Sequence, residues 1–96
     1  MDLHEALSDY KLNLSLVENK SKKTIEAYMS DLTHYINYLN QKNINNVEEI
    51  TILTVDNYLN SLTKEYSSNS INRVLASVRS FHKFISLNHE SIKDPT

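Results

Sequence analysis

Residues 22–42 read KKTIEAYMSDLTHYINYLNQK, and this segment has the clearest hydrophobic pattern in the chain. Its apolar side chains recur at intervals of three and four residues, which is typical of an amphipathic α-helix that buries one face. Ser21 stands just before the segment, and a serine oxygen there can accept a hydrogen bond from a free amide of the first turn. The pattern predicts a helix over about residues 22–42 with Ser21 as its N-cap. The predicted core positions are Ile25, Tyr28, Met29, Leu32, Tyr35, Ile36 and Leu39.

The same period predicts three more helices, at about residues 2–18, 52–65 and 68–88. Thr51 or Thr54 is the expected cap of the third helix, and Ser67 or Ser68 that of the fourth. The predicted core positions of these three helices are Leu3, Ala6, Leu7, Tyr10, Leu14, Val17, Val55, Tyr58, Leu59, Leu62, Ile71, Val74, Leu75, Val78, Phe81 and Ile85.

The composition favours a single all-α domain. The chain has 96 residues, enough for one hydrophobic core, and it contains no glycine and one proline, Pro95. Turns and hairpins normally use these two residue types, so their absence from positions 1–94 indicates helices. In the asparagine-rich connection after the second helix, we expect Ile44 and Val47 to pack against the core.

Several classes of protein are excluded or disfavoured. No apolar run is long enough to cross a membrane, cysteine is absent, and the N-terminus lacks the pattern of a signal peptide. We therefore expect a soluble, cytoplasmic domain without disulfides and without a membrane partner. The four histidines show no metal-ligand spacing and are expected at the surface or at the edge of the core, so no metal and no cofactor is predicted.

No catalytic group is predicted either. Among the six tyrosines, Tyr28, Tyr35, Tyr58 and Tyr10 lie on core stripes, where the ring packs and the hydroxyl stays at the rim. The sequence offers no glycine-rich phosphate loop and no arguable nucleophile and base set.

The net charge is −2, from ten Lys plus Arg against twelve Asp plus Glu, which by itself argues against nucleic-acid binding. The charges are unevenly distributed, however. Residues 1–18 hold four acids and one lysine, whereas residues 20–23 hold three lysines, and residues 66–89 hold Arg73, Arg79 and Lys83, both without an acid. One face of the domain can therefore be positive although the chain is slightly negative.

The polar face of the fourth helix carries cations and small hydrogen-bonding side chains but no acid. A helical wheel groups Asn69, Asn72, Arg73, Ala76, Ser80 and Lys83 opposite the core stripe, with Ser77 at the margin. Small residues allow a helix to enter deep into a DNA major groove. Asn and Arg can then contact bases, and Ser and Lys can contact phosphates. The alternative is that these side chains only cap and solvate a helix.

The start of the second helix has a similar character. Lys20, Lys22 and Lys23 stand with Ser21 and Thr24 around the free amides of the first turn, where the helix dipole favours an anion. A bound polyanion would relieve the repulsion between these lysines and the dipole. The alternative is a solvated basic turn.

Two motifs give the chain a family resemblance. Residues 21–32, SKKTIEAYMSDL, are similar to S-x-x-T-x-x-x-Y-x-x-D-L. Residues 68–84, SNSINRVLASVRSFHKF, are similar to S-x-x-S-I-x-R-x-L-S-x-x-R-x-F-x-x-F. Asp94-Pro95 follows where the pattern has (N/D)-P before a linker. The chain resembles, over nearly its whole length, the N-terminal core-binding (SAM-like) domain of tyrosine recombinases, particularly Xer-type recombinases and phage integrases. The clearest departure is Ala76, where the family has serine.

The resemblance implies a four-helix orthogonal bundle, residues 1–93, that forms half of a C-shaped clamp on DNA. Residues 94–96 would begin a linker to a C-terminal domain, absent here, that holds the catalytic groups. The ending favours a fragment over a free-standing relic. The implied partners are a double-stranded DNA recombination site, that catalytic domain, and other recombinase protomers in a tetramer on DNA. The implied DNA contacts are Lys22, Lys23, Thr24, Tyr28, Asn69, Ser70, Arg73, Ser77, Arg79, Ser80 and Lys83.

A second interpretation of the sequence remains open. Leu12, Leu16, Tyr38 and Phe84 fall outside the predicted core stripes. Together they could form the docking surface of a helical protein-interaction module that does not bind DNA.

Overall fold

The computed structural model describes residues 1–89 and 91–96. Over these residues the chain forms four α-helices: α1, Leu3–Leu12; α2, Lys22–Gln41; α3, Ile52–Leu62; and α4, Ser68–Asn88. A π-helical turn, Asn13–Val17, continues α1, and a short 3-10 helix, Val47–Glu49, precedes α3. The predicted all-α, four-helix fold is confirmed.

Side-chain caps fix the starts of the helices. Ser21 accepts a hydrogen bond from the Thr24 amide, as predicted. Thr51 caps α3 and exchanges hydrogen bonds with Thr54, and Ser67 caps α4, so the structure selects one residue from each predicted pair. Because these caps act on the next three residues, they are readable from local sequence.

The first predicted helix differs from the structure at its end. The Glu18 amide donates to the Asn13 carbonyl at 3.0 Å, a spacing of five residues that widens the turn. Leu14 is buried, whereas Val17 is 76% exposed. Leu12 and Leu16 are exposed as well. The prediction of Val17 as a core residue was wrong, because the π-helical turn changes the direction of the side chains that follow it.

The core lies where α2 crosses α4. These two helices pack together most extensively, while α1 packs on both of them and α3 packs on α4. Val47 is buried and Ile44 half-buried, as predicted. The buried apolar residues are Leu3, Ala6, Tyr10, Leu14, Leu32, Tyr35, Ile36, Leu39, Val47, Ile50, Val55, Tyr58, Leu62, Val74, Val78, Phe81, Ile85 and Ile92.

The core also contains a polar pair that the sequence did not reveal. His82 is buried, and its Nε2 shares a hydrogen bond of 2.9 Å with the Tyr35 hydroxyl. The prediction that the histidines lie at the surface or the edge of the core was wrong for His82. Likewise the Tyr35 hydroxyl is inside the core and not at its rim. Each group can be buried because it supplies the other's hydrogen bond.

Two residues assigned to a possible docking surface belong to the edge of the core. The ring of Tyr38 packs against Tyr58 at 4.9 Å between centroids, and that of Phe84 packs against Tyr10 at 5.3 Å. Both side chains are half-buried. Phe84 still lines a shallow surface with Leu12 and Leu16, as predicted, whereas Tyr38 lines a different hollow with Lys42 and Ile44. The predicted grouping was therefore wrong for Tyr38.

The buried His82 predicts an acid-sensitive fold. Burial lowers the pKa of His82 from 6.5 to about 4, because the charged imidazolium is poorly solvated in the core. The unfolded chain then binds the proton more readily, so stability falls as the pH drops from about 6.5 towards about 4. We expect a loss on the order of 3 kcal/mol in the free energy of unfolding.

The measurement is urea unfolding of wild type, His82→Gln and His4→Gln at a series of pH values. His82→Gln should have a clearly shallower pH dependence over this range, whereas His4→Gln, which changes an exposed histidine, should follow wild type. Equal pH dependence in all three proteins would contradict the prediction.

Candidate nucleic-acid interface

One side of α4 forms a continuous polar surface. The side chains on this side are all exposed, and α4 contains three cationic residues and no acid. The opposite side buries Val78, Phe81 and Ile85 in the core, which fixes the polar side towards solvent. We name this surface the α4 polar face, and it consists of Asn69, Asn72, Arg73, Ala76, Ser80 and Lys83.

At the C-terminal half of α4, the polar face borders an open cleft of about 460 Å³. Lys83 and Ser80 line it from α4, Tyr28 from α2, and Lys20 from the segment before α2. The structure thus brings Tyr28 together with Ser80 and Lys83, which lie more than 50 positions later in the sequence, and it adds Lys20 to these three predicted site residues. Hydroxyl groups and ammonium groups in one cleft suit an anionic oxygen ligand such as a phosphate.

The cleft also contains one acid, Glu18, whose carboxylate accepts a hydrogen bond from Asn13. Burial raises the pKa of the neighbouring Tyr10 to about 12, with a further contribution from the negative charge of Glu18. The Tyr10 hydroxyl therefore stays protonated and remains a hydrogen-bond donor at neutral pH.

At the N-terminal half of α4, Arg73 forms a bidentate ion pair with Asp31 of α2. Arg73 Nη2 donates to Asp31 Oδ1 at 3.0 Å, and Nε donates to Oδ2 at 3.3 Å. The carboxylate is nearly buried, whereas the Arg73 side chain is 61% exposed. This pair links the polar face directly to α2.

Ser77 is not on the α4 polar face. Its side chain is fully buried, and its hydroxyl donates to Asp31 Oδ2 at 3.1 Å. The prediction of Ser77 as a DNA contact is corrected on this point, because a buried hydroxyl cannot reach a ligand in solvent. The wheel placed Ser77 at the margin of the face, and the packing of α2 covers that margin.

The remaining predicted residues lie in three separate places. Lys22 and Lys23 are exposed at the start of α2, and Thr24 is half-buried beside its cap, Ser21. Asn69 and Ser70 stand in the first turn of α4, where the Ser70 amide donates to Ser67.

Arg79 is apart from both groups. It lines a hollow with Asp56 and Leu59 of α3 and with Pro95, on a different side of α4 from the cleft. The structure therefore does not bring Arg79 together with Lys83 and Tyr28.

Four acids lie together at another end of the molecule. The Met1 ammonium contacts the Glu48 carboxylate at 2.6 Å, and Asp2 pairs with Asn46, so the start of α1 lies beside the 3-10 helix. This acidic end carries Asp2, Glu5, Glu48 and Glu49. The cleft lies at the opposite end of α1, beside Tyr10 and Asn13.

Sequence reasoning missed Asp31 as a member of the site. The residue stands in the SKKTIEAYMSDL motif, so a signal was present, but the motif does not indicate which cation the carboxylate meets. Only the packing of α2 on α4 brings it to Arg73, 42 positions away. Lys20 was noted in a basic segment without a place in the site.

Over residues 1–89 and 91–96, no group of His, Cys, Asp or Glu side chains is arranged to hold a metal ion. Within the same residues, no helix is both long enough and apolar enough to cross a membrane.

The fold and this surface define a class of protein: an all-helical module with a cationic helix face that carries no acid. A model of the family "Phage integrase, N-terminal SAM-like domain" matches residues 7–89. The chain belongs to this family, which confirms the resemblance and assigns it to the integrase class of tyrosine recombinases. No curated protein and no solved structure matches the chain.

The buried position of Ser77 predicts a structural role. Ser77→Ala removes one of the donors to the Asp31 carboxylate, so we expect the free energy of unfolding to fall by about 1–2 kcal/mol. Asn72→Ala, which changes an exposed residue of the same helix, should alter it by less than about 0.5 kcal/mol. Chemical denaturation of the three proteins measures both values, and an unchanged Ser77→Ala protein would contradict the assignment.

Proposed function

We propose that this domain binds double-stranded DNA through the α4 polar face and the start of α2, as the core-binding part of an integrase. The observation that carries the proposal is the α4 polar face itself, which is exposed, cationic and without acids. Exposed helix faces normally alternate acids and bases, because such pairs stabilise the helix in water. A face that lacks acids is suited to a polyanion.

The spacing of the cations on α4 fits a major groove. Arg73 and Lys83 are ten residues apart, which corresponds to about 15 Å of helix. The major groove of B-DNA is about 12 Å wide, so the two side chains can reach phosphates on both of its edges. Ala76 and Ser80 lie between them and are small enough for the helix to approach the bases.

The cleft and the start of α2 supply additional phosphate contacts in this proposal. Lys20 and Lys83 face the same cleft, and Tyr28 and Ser80 add hydroxyl donors. Lys22 and Lys23 flank first-turn amides, which by helix geometry lack intrahelical acceptors. Backbone contacts of this kind position a duplex and contribute little sequence specificity.

The proposal includes the protein partners of the domain. A catalytic domain on the C-terminal side of Thr96 would perform strand exchange, and other protomers would complete a tetramer on the recombination site. The domain alone would then hold DNA without cutting it.

The test is titration of a fluorescently labelled mixed-sequence duplex with the domain at about 50 mM and about 200 mM salt. Each phosphate contact should contribute about −0.9 to the slope of log affinity against log salt concentration. Lys83→Ala should weaken binding and reduce this slope by about 1, because one phosphate contact is lost.

Lys42→Ala is the matched control. It removes the same charge, but Lys42 follows the last residue of α2, at the opposite end of that helix from Lys22 and Lys23. Binding by this variant should be close to wild type. Affinity that does not depend on salt, or equal effects of the two substitutions, would count against the proposal.

A second candidate function rests on one specific observation. Leu12, Leu16, Val17 and Leu87 are exposed apolar side chains, and the first three share a shallow surface with Phe84 of α4. A protein-interaction module would use such a patch. In that case sedimentation velocity without DNA should reveal an oligomer that forms with rising concentration, persists at high salt and is lost in Leu16→Lys.

The same measurement separates the two candidates. A protein that stays monomeric without DNA at all concentrations, and binds the duplex in low salt, supports DNA binding alone. Thr33→Lys, which also adds a charge at an exposed helical position but lies on α2, controls for a general effect of charge on association.

A further inference from the structure

The carboxylate of Asp31 has an unusual set of partners for a residue beside a cationic surface. Asp31 is 8% exposed, and it receives hydrogen bonds from Arg73 Nε, Arg73 Nη2 and Ser77 Oγ, at 3.3, 3.0 and 3.1 Å. Ser77 is itself buried, so the carboxylate is held from the inside of the molecule while Arg73 approaches it from the outside.

The geometry leaves one edge of the Arg73 guanidinium free of Asp31. A guanidinium carries five N–H donors in a planar fork, and the Asp31 carboxylate occupies two of them, on Nε and Nη2. The second N–H of Nη2 and both N–H groups of Nη1 do not take part in the pair. The free Nη2 N–H and one N–H of Nη1 form the end-on edge, which matches two phosphate oxygens or the O6 and N7 atoms of guanine.

We propose that Asp31 is a positioning residue that orients Arg73 for DNA. The pair fixes the plane of the guanidinium, and Ser77 fixes the carboxylate. Because the Arg73 side chain is 61% exposed, the free edge is accessible to a ligand from solvent. An arginine without this anchor would lose more side-chain freedom when it binds. The inference rests on the proposed function, because it assigns a role within the same DNA-binding surface.

Simple electrostatics predicts the opposite effect of Asp31. A carboxylate beside a polyanion repels it, so its neutralisation in Asp31→Asn should strengthen DNA binding. Positioning predicts weaker binding, because the asparagine amide offers one acceptor oxygen and turns an N–H₂ group towards the guanidinium donors. The two explanations therefore predict opposite changes in the DNA affinity of Asp31→Asn.

The experiment measures binding of the labelled mixed-sequence duplex at low salt by fluorescence anisotropy. We expect Arg73→Ala to weaken binding about tenfold and Asp31→Asn about fivefold. The double variant should bind no more weakly than Arg73→Ala alone, because Asp31 acts through Arg73. Glu26→Gln is the matched control: it removes one carboxylate from an exposed position of the same helix, and its binding should be equal to wild type or tighter.

Arg73→Lys keeps the charge and removes the fork. Positioning of a fork predicts that this variant binds as weakly as Arg73→Ala, whereas a role for charge alone predicts binding like wild type. Because Arg73 is largely exposed, we expect Arg73→Lys to fold. It therefore tests whether DNA binding needs the guanidinium fork even where Asp31→Asn disturbs folding. In folded Asp31→Asn, the Nε–H NMR signal of Arg73 should shift and exchange faster with water, which reports the loss of the anchor directly.

The outcomes are distinguishable. Weaker binding by both Asp31→Asn and Arg73→Lys supports the inference. Wild-type or tighter binding by folded Asp31→Asn, or wild-type binding by Arg73→Lys, overturns it and leaves the proposed function intact. A wild-type domain that does not bind the duplex at low salt overturns the proposed function and this inference together.

Discussion

The arrangement of α2 and α4 depends on the buried carboxylate of Asp31. A carboxylate removed from water is costly unless donors replace its hydration, so α2 can bury this residue only where α4 supplies them. Arg73 and Ser77 are one helical turn apart and reach the same carboxylate from one side of α4. Sliding α2 by a turn would leave the charge unpaired. The pairing thus fixes how α2 is aligned along α4. The same alignment places Tyr28, one turn before Asp31, beside Ser80 in the cleft.

The rest of the core satisfies its polar groups by similar pairings. Tyr35 and His82 share a hydrogen bond inside the core, and Tyr58 shares one with His34 at its edge. Large aromatic rings therefore fill the core of a 96-residue chain, and within residues 1–89 and 91–96 no buried side-chain polar atom lacks a hydrogen-bond partner. The chain also bends without glycine: Asn43, just past the end of α2, adopts a left-handed backbone with φ of 62°, a conformation that asparagine tolerates better than most residues.

Features set by nearby residues were predictable from the sequence, and features set by helix packing were not. The helix over residues 68–88 and the cap at Ser21 follow from spacing and from side chains three positions away, and both agree with the structure. Ser77 and His82 lie on the borders of the α4 core stripe, where a wheel cannot tell which side α2 covers. The prediction that Val17 is buried was wrong for another reason, since one π-helical turn breaks the 3.6-residue period on which that prediction rests. The site was predictable as a helix face but not as a set of contacts, because Asp31 enters it from another helix.

A net charge of −2 is compatible with the proposed function because the charges are separated in space. The acidic end and the cleft lie at opposite ends of α1, a helix of ten residues and therefore about 15 Å long. The Debye length at physiological ionic strength is about 8 Å, so the distant acids are largely screened at the cleft. Lys20 and Lys83 line the cleft, and Glu18 is the one acid among its lining residues. The potential that a phosphate meets at α4 is therefore decided by these few neighbouring groups and by the Asp31–Arg73 pair, and the charge of the whole chain has little bearing on it.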